Sequence, residues 1–160
     1  MENLQTVQML DEGGNQVVSY QEVLYLCAIW NSFIYDSLLR LKVSANINYF
    51  FVYGTQVPQL TKSDRYFNDI VQRAAKLICT TPEFDELAQE VGLGSYQQGV
   101  TNETSRALLR AELDWMVAHL YGLTFEEFAY ILTTFPLVPE TVKQAAMDSY
   151  HTFAVKSIAA

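Results

Sequence analysis

RALLRAELDWMVAHLYGLTFEEFAYILTTFP, Arg106–Pro136, carries two helices with their start and stop signals in place. Leu108, Leu109, Leu113, Met116, Val117 and Leu120 recur at helical spacing. The helix they define starts near Asn102 and stops at Gly122, a residue that adopts the left-handed conformation without a Cβ penalty. Thr124 followed three residues later by Glu127 forms a capping box that opens a second helix, FEEFAYILTTF. Pro136 and Pro139 bracket a break, after which a last helix covers about 140–157.

Upstream, Tyr66, Phe67, Ile70, Val71, Ala74, Leu77 and Ile78 form the inner stripe of a helix over about 64–79, started by Thr61 or Ser63. Thr81-Pro82-Glu83 begins another, which Gly92 ends. Gly92–Glu103 is glycine-rich and contains no lysine, so it reads as a connector and does not match a phosphate-binding loop. Nearer the amino terminus, Ser19 and Glu22 make a capping box for a long helix running to about Leu41. That helix is apolar nearly all round and is expected to be central.

Two regions read as extended chain. Ile47 to Tyr53 is rich in β-formers, with apolar residues on both faces, and predicts a strand closed by Gly54 and Pro58. Residues 4–18 read as a hairpin around Gly13-Gly14-Asn15. The expected fold class is therefore α+β and predominantly helical. It has about five helices and a small antiparallel sheet near the amino-terminal half. With 160 residues and no composition shift marking a linker, one domain is expected. Residues 1–62 and 63–160 form its two parts.

Half of the residues are hydrophobic and 18% are charged, too apolar for a disordered chain. No apolar run approaches the length of a membrane span, and the first twenty residues carry neither a base nor an apolar core of a signal peptide. Cys27 and Cys79 lie in apolar helical patterns and read as buried thiols, which makes a cytoplasmic protein the expectation.

The formal net charge of −8 argues against a freestanding nonspecific nucleic-acid binder. The charge is uneven, however. Residues 1–39 carry five acids and no base, whereas residues 40–76 carry six bases (Arg40, Lys42, Lys62, Arg65, Arg73, Lys76) against Asp64 and Asp69. A basic island in an acidic chain is where an anion would bind, or else a solvated, salt-bridged surface.

No catalytic constellation emerges. His119 and His151 are isolated from each other and from both cysteines, in none of the spacings that hold a metal. Glu112 and Asp114 stand two apart and face different ways on a helix, and Glu126-Glu127 sits where a helix dipole favours acids. No cofactor motif is present. Nucleic-acid readout uses Lys and Arg on phosphates and Asn or Gln on base edges. Arg40, Lys42, Asn46, Asn48, Lys62 and Arg65 supply that composition, interleaved with aromatic residues.

Two blocks resemble a known family. Leu26–Leu60, through Asn31, Ser32, Arg40, Asn48, Val57 and Pro58, resembles the end of the target-recognition region of type IIG restriction–modification enzymes and related adenine-N6 DNA methyltransferases. Arg110–Val138 is similar to the helical tail that follows in the same proteins. The methyltransferase's glycine-rich cofactor motif and its Asn/Asp-Pro-Pro-Tyr/Phe tetrapeptide are missing here. The resemblance thus implies a non-catalytic DNA-recognition or accessory module, partnered by double-stranded DNA and by a methyltransferase or restriction subunit. The other reading is a protein-interaction module or remnant that self-associates as a homo-oligomer and does not touch DNA.

Overall fold

The computed structural model describes residues 13–14, 17–43 and 49–158. Eight α-helices follow in order: α1 (Tyr20–Trp30), α2 (Phe33–Arg40), α3 (Tyr49–Tyr53), α4 (Arg65–Ile78), α5 (Asp85–Glu90), α6 (Glu103–Leu120), α7 (Phe125–Thr133) and α8 (Glu140–Ile158). Short 3-10 turns at Pro82–Phe84 and Tyr96–Gln98 complete the set. No helix among the described residues is long and apolar enough to cross a membrane.

The expected α+β class is overturned: the described residues contain no strand and no sheet, and the helices exceed the five expected. The 47–53 strand fails because Tyr49–Tyr53 is one and a half turns of helix. A short run that is apolar on both faces fits either state, and its surroundings decide. Here the end of α3 is closed locally. Thr55 Oγ1 donates to the Phe51 carbonyl at 2.7 Å, and the Gly54 amide donates to the Phe50 carbonyl at 3.0 Å. With the backbone groups satisfied within the segment, no partner strand is required. The start of the expected strand (residues 47–48) and most of the expected amino-terminal hairpin lie outside the described residues.

The long first helix is two helices. Asn31 and Ser32 break it by offering the backbone side-chain partners that compete with the helical ladder. Asn31 Nδ2 donates to the Cys27 carbonyl at 2.8 Å, and Ser32 Oγ donates to the Ile29 carbonyl at 2.7 Å. The same hydroxyl accepts from the Tyr35 amide at 3.2 Å and so caps the start of α2.

Most local signals elsewhere hold. Both capping boxes form, Ser19 with Glu22 and Thr124 with Glu127. Asn102 caps α6, and Gly122 stops the chain after it at φ +70°, with the Leu123 amide bonding back to Ala118. The helix over 64–79 starts at Asp64 rather than Thr61 or Ser63. The Asp64 carboxylate reaches back to the Thr61 amide at 2.7 Å.

At the centre lies α6, packed against α2, α4 and α8, while α1 packs on α4 and α7 on α2 and α8. Seven of its residues are buried: Ala111, Leu113, Asp114, Trp115, Met116, Val117 and Ala118. Leu113, Trp115, Met116, Val117 and Ala118 meet Ile70, Val71 and Ala74 of α4, Ile29 of α1 and Ala146 of α8 in one hydrophobic core. The connector between α5 and α6 is pinned to α4. The Val100 amide donates to the Lys76 carbonyl at 2.7 Å, and Arg106 Nη1 donates to the carbonyls of Leu77 and Val100.

Candidate functional site

The segments Leu26–Leu60 and Arg110–Val138 meet at the end of α2. Arg40 closes that helix and forms a bidentate pair with Asp36 one turn earlier, at 3.1 and 2.9 Å. Its guanidinium carbon also lies 4.8 Å from the centre of the Phe135 ring, which follows α7. Two residues on, Lys42 Nζ donates to the Gly54 carbonyl at 2.6 Å and to Thr55 Oγ1 at 3.1 Å. A lysine at the carboxy-terminal end of α3 satisfies a carbonyl the helix leaves over and complements its dipole. Arg40 and Lys42 thus clamp α2 against the turn after α7 and against the end of α3.

The other candidate bases lie around the start of α4. Lys62 is exposed, and its positive charge helps to hold the Glu22 carboxyl below its usual range, after the hydrogen bonds from Ser19. Arg65 is exposed and its Nε lies 3.9 Å from Asp69. Arg73, in the same basic segment, is drawn inward to Glu112 of α6 at 2.6 Å. Lys76 is exposed on the outer face of α4. No hydrogen bond or ion pair among the described residues joins the Arg40–Lys42 pair to the Lys62–Arg65 pair. Asn46 and Asn48 lie outside the described residues.

Of the six bases in the island, then, three have a carboxylate within ion-pair distance, one is held by a backbone carbonyl, Lys62 faces Glu22, and Lys76 stands exposed on α4. The Arg40–Asp36 and Arg65–Asp69 pairs are exposed to solvent, where ion pairs contribute little to stability. They also reduce the field a phosphate would feel.

What the end of α2 offers to solvent instead is apolar. Leu41 is 82% exposed between the two clamping bases, Phe50 on α3 is 89% exposed, and Leu137, two residues past Phe135, is 96% exposed. Tyr53 at the end of α3 is also largely exposed. The Arg40–Phe135 and Lys42–Gly54 contacts bring the three segments bearing these side chains together at the end of α2.

Beside this end, a groove of about 1120 Å³ runs between α1, the Tyr53–Thr61 segment and the end of α6. Its wall is fixed by two phenols. Tyr25 donates to the Pro58 carbonyl at 2.7 Å and Tyr121 to the Gln56 carbonyl at 2.6 Å. Burial pushes the Tyr25 phenol well up, and pushes that of Tyr121 up to about 12, so both remain donors at neutral pH.

The histidines carry no metal-type arrangement among the described residues. His119 packs between the rings of Tyr66 and Trp115, tilted to the first and edge-on to the second, with centroids 5.1 and 5.5 Å away. Cys79 is buried and Cys27 half-buried, both as free thiols raised by burial.

Asp114, which faces a different way from Glu112 on α6, is a buried acid. Asp114 of α6 is 8% exposed, and its Oδ1 accepts the Phe33 amide, the first of α2, at 3.0 Å. Burial pushes its carboxyl up to about 7, against the smaller downward pull of that hydrogen bond. The signal is present in the spacing. Asp114 stands three residues after Ala111 and four before Ala118, on the stripe that faces the core.

No protein-family model, curated protein or solved structure matches the chain.

Proposed function

We propose that this chain is a non-catalytic protein-interaction module that associates through the apolar end formed by Leu41, Phe50 and Leu137, and that its first partner is a second copy of itself. The observation that carries this reading is the pairing of exposed apolar side chains with clamped bases at that end. Large exposed apolar residues gathered at one place mark contact surfaces more often than solvent-facing ones. The resemblance to the recognition and tail regions of type IIG enzymes supports placing the module in an adenine-N6 modification system, alongside a methyltransferase subunit.

A second reading keeps DNA as the ligand. Lys62 and Arg65 support it, since both are exposed at the start of α4 and Arg65 touches its carboxylate only at 3.9 Å.

Light scattering on the purified protein, paired with an electrophoretic shift of duplex DNA at low salt, separates the two. The interaction reading expects a mass that rises with protein concentration and no DNA shift. A constant monomer mass accompanied by a salt-sensitive DNA shift replaces it with the DNA reading.

A further inference from the structure

A second cavity, of about 440 Å³, lies on the other side of α1. It is bounded by Cys27 and Ala28 of α1, Leu77 of α4, Leu113 and Asp114 of α6, and Val142 of α8. This volume falls in the range of small-molecule sites, and the lining has their character, mostly apolar with few polar groups.

Asp114 gives the cavity its chemistry. More than nine-tenths buried, it lines the cavity, and its Oδ1 is committed to the Phe33 amide. Among the described residues Oδ2 accepts no hydrogen bond. Oδ2 is not itself enclosed but opens on the cavity, and at a side chain so largely desolvated a donor brought by a ligand gains more than at the surface.

Two arginines also reach the lining, and neither is bonded to Asp114. Arg106 Nη1 donates to the carbonyls of Leu77 and Val100, and Arg110 Nη1 pairs with Glu103 at 3.1 Å. Asn31 Nδ2 is taken by the Cys27 carbonyl. At Asp114 Oδ2 the unfilled demand is for a hydrogen-bond donor, and a cationic donor suits a carboxylate best.

We propose that the cavity between α1, α4, α6 and α8 binds a small, largely apolar molecule whose protonated amine donates to Asp114 Oδ2. The hydrocarbon part lies against Ala28, Leu77 and Leu113, and the amine sits at the start of α2 beside the Phe33 amide. Nothing in this requires the association surface at the far end of α2.

The test is a nitrogen–proton correlation NMR titration at pH 8 with benzylamine and with toluene, its uncharged hydrocarbon counterpart. Benzylamine is expected to shift the amides of Cys27, Phe33 and Leu113 saturably, and to bind about tenfold or more tightly than toluene, the ratio a charge-assisted hydrogen bond supplies. Asp114→Asn keeps an acceptor for the Phe33 amide and removes the charge, so it should abolish the preference for the amine. Val142→Phe obstructs the opening and should weaken both ligands. If Asp114→Asn does not fold, the benzylamine-to-toluene ratio and Val142→Phe decide the matter. Equal affinity for the two probes, shifts away from the cavity, or no saturable shift overturns the proposal.

Discussion

Arg73 on α4 and Glu112 on α6 form an ion pair at 2.6 Å, with both side chains about four-fifths removed from solvent. The pair joins the central helix to its neighbour and draws one cation of the basic island away from the surface. Arg73 also donates to the Asp69 carbonyl on its own helix at 3.0 Å, so its position is fixed from two sides. Glu112→Gln leaves a largely desolvated guanidinium without its counter-charge and is expected to lower stability by about 1–3 kcal/mol. Urea unfolding followed by circular dichroism measures it. A double variant, Arg73→Met with Glu112→Leu, is expected to recover most of the loss.

Asp114 makes stability pH-dependent in an unusual direction. Its carboxyl titrates at about 7 in the folded chain, against 3.8 for an aspartate free in solution. Between those values the folded state holds the extra proton, so stability falls as pH rises. The contribution is fully present below about pH 4 and has been lost once pH passes about 7. Asp114→Asn is expected to flatten this part of the profile and to be the more stable protein at pH 8. Thermal unfolding between pH 4 and 8, wild type against variant, checks both statements.

Gly99 lies against the end of α4. A Cβ built on it would come 1.9 Å from the Cys79 carbonyl oxygen, a backbone atom that cannot swing aside. Gly99→Ala should therefore displace the connector and cost about 1–3 kcal/mol. The denaturant midpoint reports it, and an unchanged midpoint would show that the connector yields freely.

Thr124→Ala removes one half of a formed capping box and leaves the amide of Glu127 without its side-chain acceptor. The expected loss is about 1 kcal/mol. Amide exchange localised to the first turn of α7 distinguishes this from a general weakening.

What is legible in the sequence follows the range of the forces involved. Caps and stops act within four residues, so the boxes at Ser19 and Thr124 and the stop at Gly122 can be read directly. The break at Asn31-Ser32 is also local, yet the continuous apolar periodicity across it suggests one helix. For Tyr49–Tyr53 the aromatic run fits strand and helix alike, and its neighbours rather than its composition settle it. The candidate bases are legible as residues and not as a surface. Arg73 finds Glu112 across 39 positions and Arg40 stacks on a ring 95 positions away, contacts that no local pattern encodes.

The association surface is tested most directly by sedimentation equilibrium of the wild type against the Phe50→Ser, Leu137→Ser double variant. Both side chains are almost wholly in solvent, so the substitutions should leave the helical circular dichroism unchanged and the stability within about 0.5 kcal/mol of wild type. The wild type is predicted to populate a dimer whose fraction rises with concentration, and the double variant to remain monomeric. A wild type that stays monomeric over the same range, or a variant that dimerises as readily, contradicts the account.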